Sequence, residues 1–366
     1  MGRWRFPGPT AATLAALIVG SAGLGTAPVA AAGRPVVGGT LLGSSAIVVA
    51  RGAPTLPPGL TASSWLVADA TTGAVLAARN PHGRFGPAST LKILTALTLL
   101  PRLNPRRIVA VTNADEMVDG TKVGLVPGLR VRLDQAFTAM LVVSGNDAAN
   151  VLARAAGGTA TTVALMSAEA RRLQALDTVP RTVHGLDAPG QSSSAYDLAL
   201  LGRAGLALPA FRRYVAIRRA WMPARGGKFF EIDNHNRLLT RYPGAIGIKN
   251  GHTDAARSSL VAAARRGNRT MIVTLMHADA RMWDQAVTLL DWGFRADGRA
   301  APVGTLVGPV PEAIATPKSA PPALTLGAGG NGRDHRDPPP VRTMAVGGAI
   351  GLLLAGGGFL LRRRRT

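Results

Sequence analysis

Apolar and polar positions alternate with a changing period along residues 61–298, and the changes divide this stretch into three parts. Two short apolar runs separated by Thr71-Thr72-Gly73 predict a β-hairpin. Helix-period runs occupy the middle, and strand-like runs return before a last amphipathic helix. The predicted strands are 65–70, 74–78, 245–249, 259–264 and 270–276; the predicted helices are 90–100, 133–142, 147–156 and 279–294, with 160–220 mostly helical.

Because strands stand at both ends of this stretch, they can join into one antiparallel sheet while the middle forms a separate helical lobe. The predicted class is α/β in the α+β arrangement, with a five-stranded antiparallel sheet, flanking helices and a helical lobe. A cleft between the sheet and the lobe is the natural place for a site.

The N-terminal end has the order of an export signal. Two arginines precede an apolar run, and small residues ending in Ala30-Ala31-Ala32 follow it. Residues 1–32 therefore predict a signal peptide, with an uncleaved anchor as the alternative. Residues 33–60 are expected to be a leader. Either way, the domain at 61–298 is expected outside the cytoplasm.

The C-terminal end predicts a membrane anchor. Residues 299–343 are rich in Pro, Gly and Ala and favour a linker. Residues 344–361 are 18 residues without a polar side chain, and a helix of ~27 Å just spans a bilayer core. The basic tail 362–366 is expected to stay cytoplasmic, giving a single-pass membrane protein.

The charge limits the possible binding partners, and the absence of cysteine limits the possible kinds of site. The chain has 42 Lys and Arg against 20 Asp and Glu, a net charge of +22. Such a surface favours polyanions. Predicted export argues against nucleic acid and leaves anionic cell-wall polymers as candidates. Without cysteine, disulfides, thiolate metal sites and cysteine nucleophiles are excluded.

Three short motifs occur in order: Ser89-Thr90-Leu91-Lys92, Ser144-Gly145-Asn146 and Lys249-Asn250-Gly251. A serine hydroxyl needs a base within hydrogen-bond reach, and Lys92 is one helical turn from Ser89. A lysine acts as base only when burial or a second cation such as Lys249 lowers its pKa. The first motif opens a predicted helix, the second joins two, and the third ends a predicted strand.

The remaining motif positions suit substrate handling. Ser144 can pass a proton toward a leaving amine, and Asn146 can hold a substrate amide. Lys249 can attract a substrate carboxylate, and Gly251 lets a substrate backbone approach the strand closely. The histidines show no metal-binding spacing, so neither metal nor cofactor is expected.

The sequence resembles the D-alanyl-D-alanine carboxypeptidases, the low-molecular-mass penicillin-binding proteins among the serine D,D-peptidases. The resemblance extends over about 61–298 and includes the stretches 69–76, 87–92, 184–187, 234–239 and 247–254. It implies the fold of penicillin-recognising serine peptidases and β-lactamases. It also implies a terminal D-alanine of peptidoglycan stem peptides as the leaving group, and acylation by β-lactam antibiotics.

The resemblance assigns roles to motif positions. Ser89 is implied as the acylated nucleophile, Lys92 as the base and Ser144 as the proton relay. The backbone N–H groups of Ser89 and His252 are implied as the oxyanion hole. The implied substrate-binding set is Asn146, Lys249, Asn250, Gly251, His252 and Thr253.

Three features depart from the family pattern. Asn250 stands where threonine is usual, although an amide can also donate to a carboxylate. Arg257 stands where the family suggests a small residue, and it is either a second carboxylate clamp or a solvated arginine. Residues 299–343 do not supply the second β-rich domain that some relatives carry.

Other functions on this fold stay open. Endopeptidase or transpeptidase action is a close alternative, since the motifs do not say whether water or an amine releases the acyl group. A β-lactamase is disfavoured, because Glu169 and Glu231, the glutamates between the second and third motifs, lack the expected setting. An inert wall-binding protein is the alternative from a different class, and the intact Ser89, Lys92, Ser144 and Lys249 argue against it.

Overall fold

The computed structural model describes residues 36–311 together with Gly2. The chain divides into two units, Met1–Ala313 and Ile314–Thr366, and the described residues belong to the first. The predicted signal peptide, transmembrane helix and basic tail, and most of the predicted linker, lie outside the described residues. Within residues 36–311 no helix has the length and apolar character needed to cross a bilayer.

One antiparallel sheet organises the molecule, with strand order β1-β3-β2-β10-β9-β8 and with β11 also paired to β3. Its five long strands are those that the sequence predicted, and two short strands at the β3 edge were not foreseen. The strands in residues 36–311 are β1 Ile47–Val49, β2 Ser64–Asp69, β3 Ala74–Arg79, β4 Ile108–Ala110, β5 Arg130–Arg132, β6 Arg219–Pro223, β7 Phe229–Asp233, β8 Ala245–Thr253, β9 Arg257–Arg266, β10 Arg269–Ala278 and β11 Gly304–Thr305.

The helices lie on both faces of this sheet, most of them between β3 and β8 in the chain. Most of the helices between β3 and β8 form the predicted helical lobe, whereas the last helix packs on the opposite face of the sheet. The α-helices in the same described range are α1 Lys92–Leu99, α2 Asn113–Glu116, α3 Leu133–Val142, α4 Asn146–Ala155, α5 Thr159–Arg172, α6 Ala195–Ala207, α7 Pro209–Val215, α8 Leu238–Arg241 and α9 Met282–Ala296.

Two buried clusters lie on opposite faces of the sheet, because successive side chains of a strand point to opposite sides. On β2, Trp65 and Val67 face a cluster that includes Trp292 of α9, whereas Leu66 faces the cluster that includes α1 and α6. All eight residues of α1 are buried. A lysine at the start of α1 is therefore fixed in the interior rather than on the surface.

The β2–β3 turn shows why the first hairpin forms where predicted. The Asp69 carboxylate accepts a hydrogen bond from the backbone N–H of Thr71 at 2.7 Å, and Gly73 adopts a φ of 88°. Glycine tolerates this left-handed conformation without steric cost. The turn thereby sets the register of β3 against β2.

Two small hairpins in the lobe escaped the sequence analysis. Strand β4 pairs with β5, and β6 pairs with β7. Each is only three to five residues long and lies among helical segments. Such short runs carry too few alternating positions to stand out from a helical background.

The segments before and after the predicted domain 61–298 are folded onto the sheet, contrary to the prediction. The sequence placed a leader at 33–60 and the start of a linker at 299, but β1 and β11 both pair with β3. Leu42 and Leu306 are buried, and the Tyr196 hydroxyl donates to the Thr305 carbonyl at 2.7 Å. The folded region therefore extends beyond 61–298 on both sides, since a few buried apolar residues suffice to hold segments whose overall composition is that of a linker.

Candidate active site

Ser89 lies in the 3-10 helix Ala88–Leu91, immediately before α1. The sequence predicted a helix beginning near this point, and the structure adds the tighter first turn. Ala88 adopts a φ of 47°, an unusual value for a residue with a side chain. Such strained backbone is maintained only where surrounding contacts fix it.

Lys92 is the first residue of α1, and its Nζ lies 2.9 Å from the Ser89 Oγ. The same Nζ donates to the Asn146 Oδ1 at 2.7 Å and to the His184 carbonyl at 2.6 Å. The three contacts match the three donors of an ammonium group. On loss of one proton, the amine nitrogen becomes an acceptor that faces the serine hydroxyl.

The surroundings of Lys92 favour its neutral form. Burial and the positive charge of Lys249 hold the pKa of Lys92 well below its usual value, and the Asp147 carboxylate opposes this in part. Burial and the Lys92 charge also lower the pKa of His184 to about 4, so its ring is neutral near pH 7. Lys92 is thus fully buried beside a hydroxyl and is suited to act as a base.

The second motif forms the turn between α3 and α4, as predicted. Ser144 has a φ of 65°, and its Oγ is buried without a hydrogen-bond partner. The Asn146 Nδ2 donates to the Asp119 carbonyl at 2.7 Å, leaving its Oδ1 for Lys92. Asp147 accepts hydrogen bonds from the backbone N–H groups of residues 123–125 and so holds the neighbouring loop.

The third motif lies inside β8, which continues to Thr253 rather than ending at the motif as predicted. Strand β8 is an edge of the sheet. A Cβ added to Gly251 would lie 2.5 Å from the backbone nitrogen of Ser89. Real Cβ atoms do not approach so closely, so glycine is required for the strand to reach the nucleophile. The Ser259 hydroxyl donates to the Pro87 carbonyl at 2.6 Å and ties the same two segments together.

Lys249 is the second buried lysine of the site. Its Nζ donates to the Asn250 carbonyl at 2.7 Å. Burial lowers its pKa to about 7. Lys249 therefore carries its positive charge at pH values below about 7, where it can attract an anionic substrate group.

His252 and Thr253 complete the edge of β8 beside Gly251. The His252 Nδ1 lies 3.2 Å from the Ser258 Oγ, and the Thr253 hydroxyl donates to Asp187 at 2.9 Å. The hydroxyl of Thr253 thus joins β8 to the loop that carries His184. Arg257 and His252 line a cavity of about 460 Å³ next to the third motif.

Most of the predicted site residues meet in one place. Ser89, Lys92 and Asn146 are in direct contact, Gly251 packs against Ser89, and Lys249 acts electrostatically on Lys92. Ser144 lies two residues from Asn146 but contacts neither catalytic group by a hydrogen bond. Asn250 contributes its carbonyl to Lys249.

Sequence reasoning missed three supporting groups. The His184 carbonyl binds Lys92, Asp147 holds the loop at residues 123–125, and Ser259 anchors Pro87. The position of His184 within a family-like stretch was the only available signal. A backbone carbonyl leaves no trace in the side-chain pattern, so its role could not be read from residue type.

One cluster in residues 36–311 has donor atoms close enough to hold a metal ion, namely His82, Asp177 and Asp197. Both ring nitrogens of His82 are used within the protein, one with Asp177 at 2.8 Å and one with the Val37 carbonyl at 3.1 Å. Asp197 accepts from the backbone of Asp177 and the Thr178 hydroxyl. The cluster therefore fastens the N-terminal flank to the domain.

Comparison with known proteins supports the resemblance found in the sequence. Residues 51–280 match the family described as D-alanyl-D-alanine carboxypeptidase. The chain is 42% identical over 270 residues to the D-alanyl-D-alanine carboxypeptidase DacB2 of Mycobacterium tuberculosis, covering 72% of this chain and 92% of that protein. It is 37% identical over 254 residues to DacD of Escherichia coli, covering 65% of this chain and 64% of that protein.

Solved structures of similar proteins have the same fold. The crystal structure of a D-alanyl-D-alanine carboxypeptidase from M. tuberculosis superposes with a TM-score of 0.68 at 42% identity, covering 70% of this chain and 99% of that one. The Streptomyces K15 DD-transpeptidase superposes with a TM-score of 0.63 at 25% identity, covering 66% and 99%. The chain belongs to the D-alanyl-D-alanine carboxypeptidase family.

Proposed function

We propose that this serine D,D-carboxypeptidase removes the terminal D-alanine from peptidoglycan stem pentapeptides through an acyl-enzyme on Ser89. The observation that carries the proposal is the contact of 2.9 Å between the Nζ of the fully buried Lys92 and the Oγ of the half-buried Ser89. It supplies a nucleophile and a base in reach of each other. Family membership supplies the substrate class and acylation by β-lactam antibiotics.

The reaction begins with proton transfer from the Ser89 hydroxyl to the neutral Lys92 amine. Ser89 Oγ then attacks the carbonyl carbon of the penultimate residue, and negative charge develops on the carbonyl oxygen. The backbone N–H groups of Ser89 and His252 stabilise this charge, since Gly251 brings the two segments together. Breakdown of the intermediate needs a proton on the leaving amine. The family resemblance assigns its relay to Ser144, whose buried Oγ has no hydrogen-bond partner in the free enzyme.

Hydrolysis completes the cycle. After D-alanine leaves, water attacks the ester carbonyl on Ser89 and Lys92 again accepts a proton. The bond between the acyl carbon and the Ser89 Oγ then breaks, and Lys92 returns the proton to the Oγ. Lys249 holds the terminal carboxylate of the substrate during acylation, and Asn146, Asn250 and Thr253 belong to the substrate-binding set. The open edge of β8 offers backbone donors and acceptors to an extended peptide.

Alternative activities find less support. The Streptomyces K15 protein is a DD-transpeptidase on the same fold, so transfer to an amine stays a second candidate. A β-lactamase needs a carboxylate for deacylation. Glu169 pairs with Arg172 on α5, and Glu231 pairs with Arg219 on the β6–β7 hairpin. An inert wall-binding protein would not need two buried lysines, whose desolvation costs stability.

Localisation forms a second part of the proposal. The domain is exported by residues 1–32 and anchored by a transmembrane helix at 344–361, with the tail 362–366 in the cytoplasm. The order of basic, apolar and small residues at one end supports this, as does the apolar run followed by four arginines at the other. The positive charge would also favour anionic wall polymers as partners.

Replacing Ser89 with alanine tests the nucleophile. Ser89→Ala should lose covalent labelling by a fluorescent penicillin and should release D-alanine from a pentapeptide at least ~10⁴-fold more slowly, as for other serine nucleophiles. Gel fluorescence and a D-alanine assay measure both effects. Ser45→Ala, at an exposed serine, is the matched control. A labelled Ser89→Ala protein would contradict the proposal.

Replacing Gly251 with alanine tests the close approach of β8 to Ser89. The added Cβ would press on the Ser89 backbone nitrogen and the Ser259 hydroxyl, so the oxyanion donor would be displaced. We expect penicillin acylation to slow by about 10²-fold or more, the usual loss for one such donor. Gly308→Ala places its Cβ in open space and should acylate like wild type. Equal rates for both variants would rule out the positioning role.

The pH dependence of kcat/KM tests Lys249. Since its pKa in the folded enzyme is about 7, the charge that binds the substrate carboxylate is lost above that pH. We expect kcat/KM for a pentapeptide to fall up to tenfold per pH unit above about 7, mainly through KM. Initial rates of D-alanine release from pH 5 to 10 measure it.

The titration of Lys249 does not itself destabilise the fold over this pH range. The pKa of Lys249 is lower in the folded than in the unfolded chain, so the unfolded chain binds more protons between about pH 7 and 10.5. The contribution of Lys249 to the free energy of unfolding therefore increases with pH in this window. A kcat/KM that keeps rising to pH 10 would contradict the assigned role.

Fractionation tests the anchor. Full-length protein should sediment with membranes after an alkaline carbonate wash, whereas a chain ending at residue 343 should appear in the soluble fraction. Immunoblotting of both fractions measures the distribution. Equal sedimentation of both chains would contradict anchoring by 344–361 and would point to retention by the N-terminal segment.

A further inference from the structure

The β6–β7 hairpin carries an aromatic face that the fold does not use. Trp221 is 61% exposed and Phe229 is 59% exposed. The other tryptophans in residues 36–311 are buried in the core, with Trp65 and Trp292 at 0% and Trp283 at 8%. An exposed tryptophan beside an exposed phenylalanine is typical of a binding surface rather than of a stabilising contact.

Strand register places the two rings on one face. Trp221 lies opposite Glu231, and Pro223 lies opposite Phe229, so Trp221 and Phe229 are diagonal neighbours. Diagonal neighbours on a face are separated by about 7–8 Å, within reach of each other's rings. The opposite face of the hairpin supplies Met222 and Ile232 to the core, which fixes the outward direction of the aromatic pair.

A groove of about 550 Å³ lies between the hairpin turn and the segment before β5. The Arg225 guanidinium donates to the Pro127 carbonyl at 3.2 Å and connects its two walls. The charged residues of the lining, Arg130, Arg225 and Lys228, are all cations. Glu231 stands beside Trp221 on the hairpin and is paired with Arg219.

The base of the hairpin adjoins the active site. The Asn234 N–H donates to the Arg218 carbonyl, and the His235 N–H donates to the Val142 carbonyl at 3.0 Å. Val142 is two residues before Ser144. Burial and, after it, the charge of Lys249 lower the pKa of His235. Five strand residues extend ~17 Å from this base. An extended stem pentapeptide has about the same length.

We propose that the aromatic face and the groove bind the glycan strand whose stem peptide occupies the active site. The inference rests on the proposed function. The C–H faces of sugar rings pack on aromatic rings through dispersion and burial of apolar surface. The cationic lining attracts carboxylates of the stem peptide near its attachment to the sugar. The hairpin thereby selects peptidoglycan over free peptide.

The shape of the hairpin favours a glycan over a membrane. Its turn is Arg225-Gly226-Gly227-Lys228, which has no apolar side chain to enter a bilayer. The aromatic rings instead lie on the exposed face of the two strands. A membrane-binding element instead concentrates its apolar side chains where it meets the lipid.

Comparing two substrates tests the proposal. The double variant Trp221→Ser/Phe229→Ser in the full-length enzyme is assayed for D-alanine release from a synthetic pentapeptide and from uncrosslinked glycan strands bearing the same pentapeptide. We expect kcat/KM to stay within twofold for the free peptide and to fall about tenfold for the glycan-linked one. The matched control is Ile47→Ser/Ile108→Ser, which removes two side chains that are each 50% exposed elsewhere.

Other outcomes have distinct meanings. Unchanged rates on both substrates, or equal losses on both, would overturn the glycan site while leaving the carboxypeptidase function in place. The glycan site would also be overturned if the double variant kept the wild-type ratio of kcat/KM values for the two substrates but lost binding to vesicles of anionic and zwitterionic phospholipids. That result would identify the hairpin as a membrane-binding surface instead. Failure of the wild-type enzyme to release D-alanine from either substrate would contradict the proposed function itself.

Discussion

Burial of two lysines in one site is the constraint on which the rest of the structure depends. Taking an ammonium group out of water is costly, and two such groups near each other repel. The cost has a use in this site, because burial and the charge of Lys249 lower the pKa of Lys92 and favour its neutral form. One lysine thereby becomes a base while the other remains a cation below about pH 7. Burial together with this repulsion thus supplies a base without requiring any carboxylate to abstract a proton.

Such a pair is useful only if the backbone around it is rigid. Three elements that are far apart in the chain meet at Ser89: the 3-10 turn, the α3–α4 turn and β8. Two close approaches to this point require glycine: Gly251 in β8, and Gly185 in the loop that carries His184, where an added Cβ would lie 2.0 Å from the Ala88 carbonyl oxygen. The left-handed backbone of Ala88 and Ser144 is maintained by the same packing. The strain is local, and the buried α1 helix beneath it provides the support.

The sequence predicted the parts of this arrangement that depend on residue type and period. The five long strands, the helix after Ser89 and the α3–α4 turn follow from apolar periodicity, and the three motifs follow from the chemistry of a serine with a lysine base. The remainder depends on tertiary contacts. The His184 carbonyl is a backbone group, and Ser144 was given a proton-transfer role that the hydrogen bonds of the structure do not display. The flanks at 36–60 and 299–311 have the composition of linkers, yet a few buried side chains such as Leu42 and Leu306 fold them onto the sheet.

The two edges of the sheet differ for a reason that connects fold to function. An exposed strand edge invites unwanted pairing, and proteins usually cover it. At the β3 side, β1 and β11 provide that cover, which explains why both flanks fold back. At the β8 side no further strand is paired within residues 36–311. In the proposed function this free edge is where an extended substrate would find backbone partners, so the asymmetry of the two sides agrees with the proposed mode of binding.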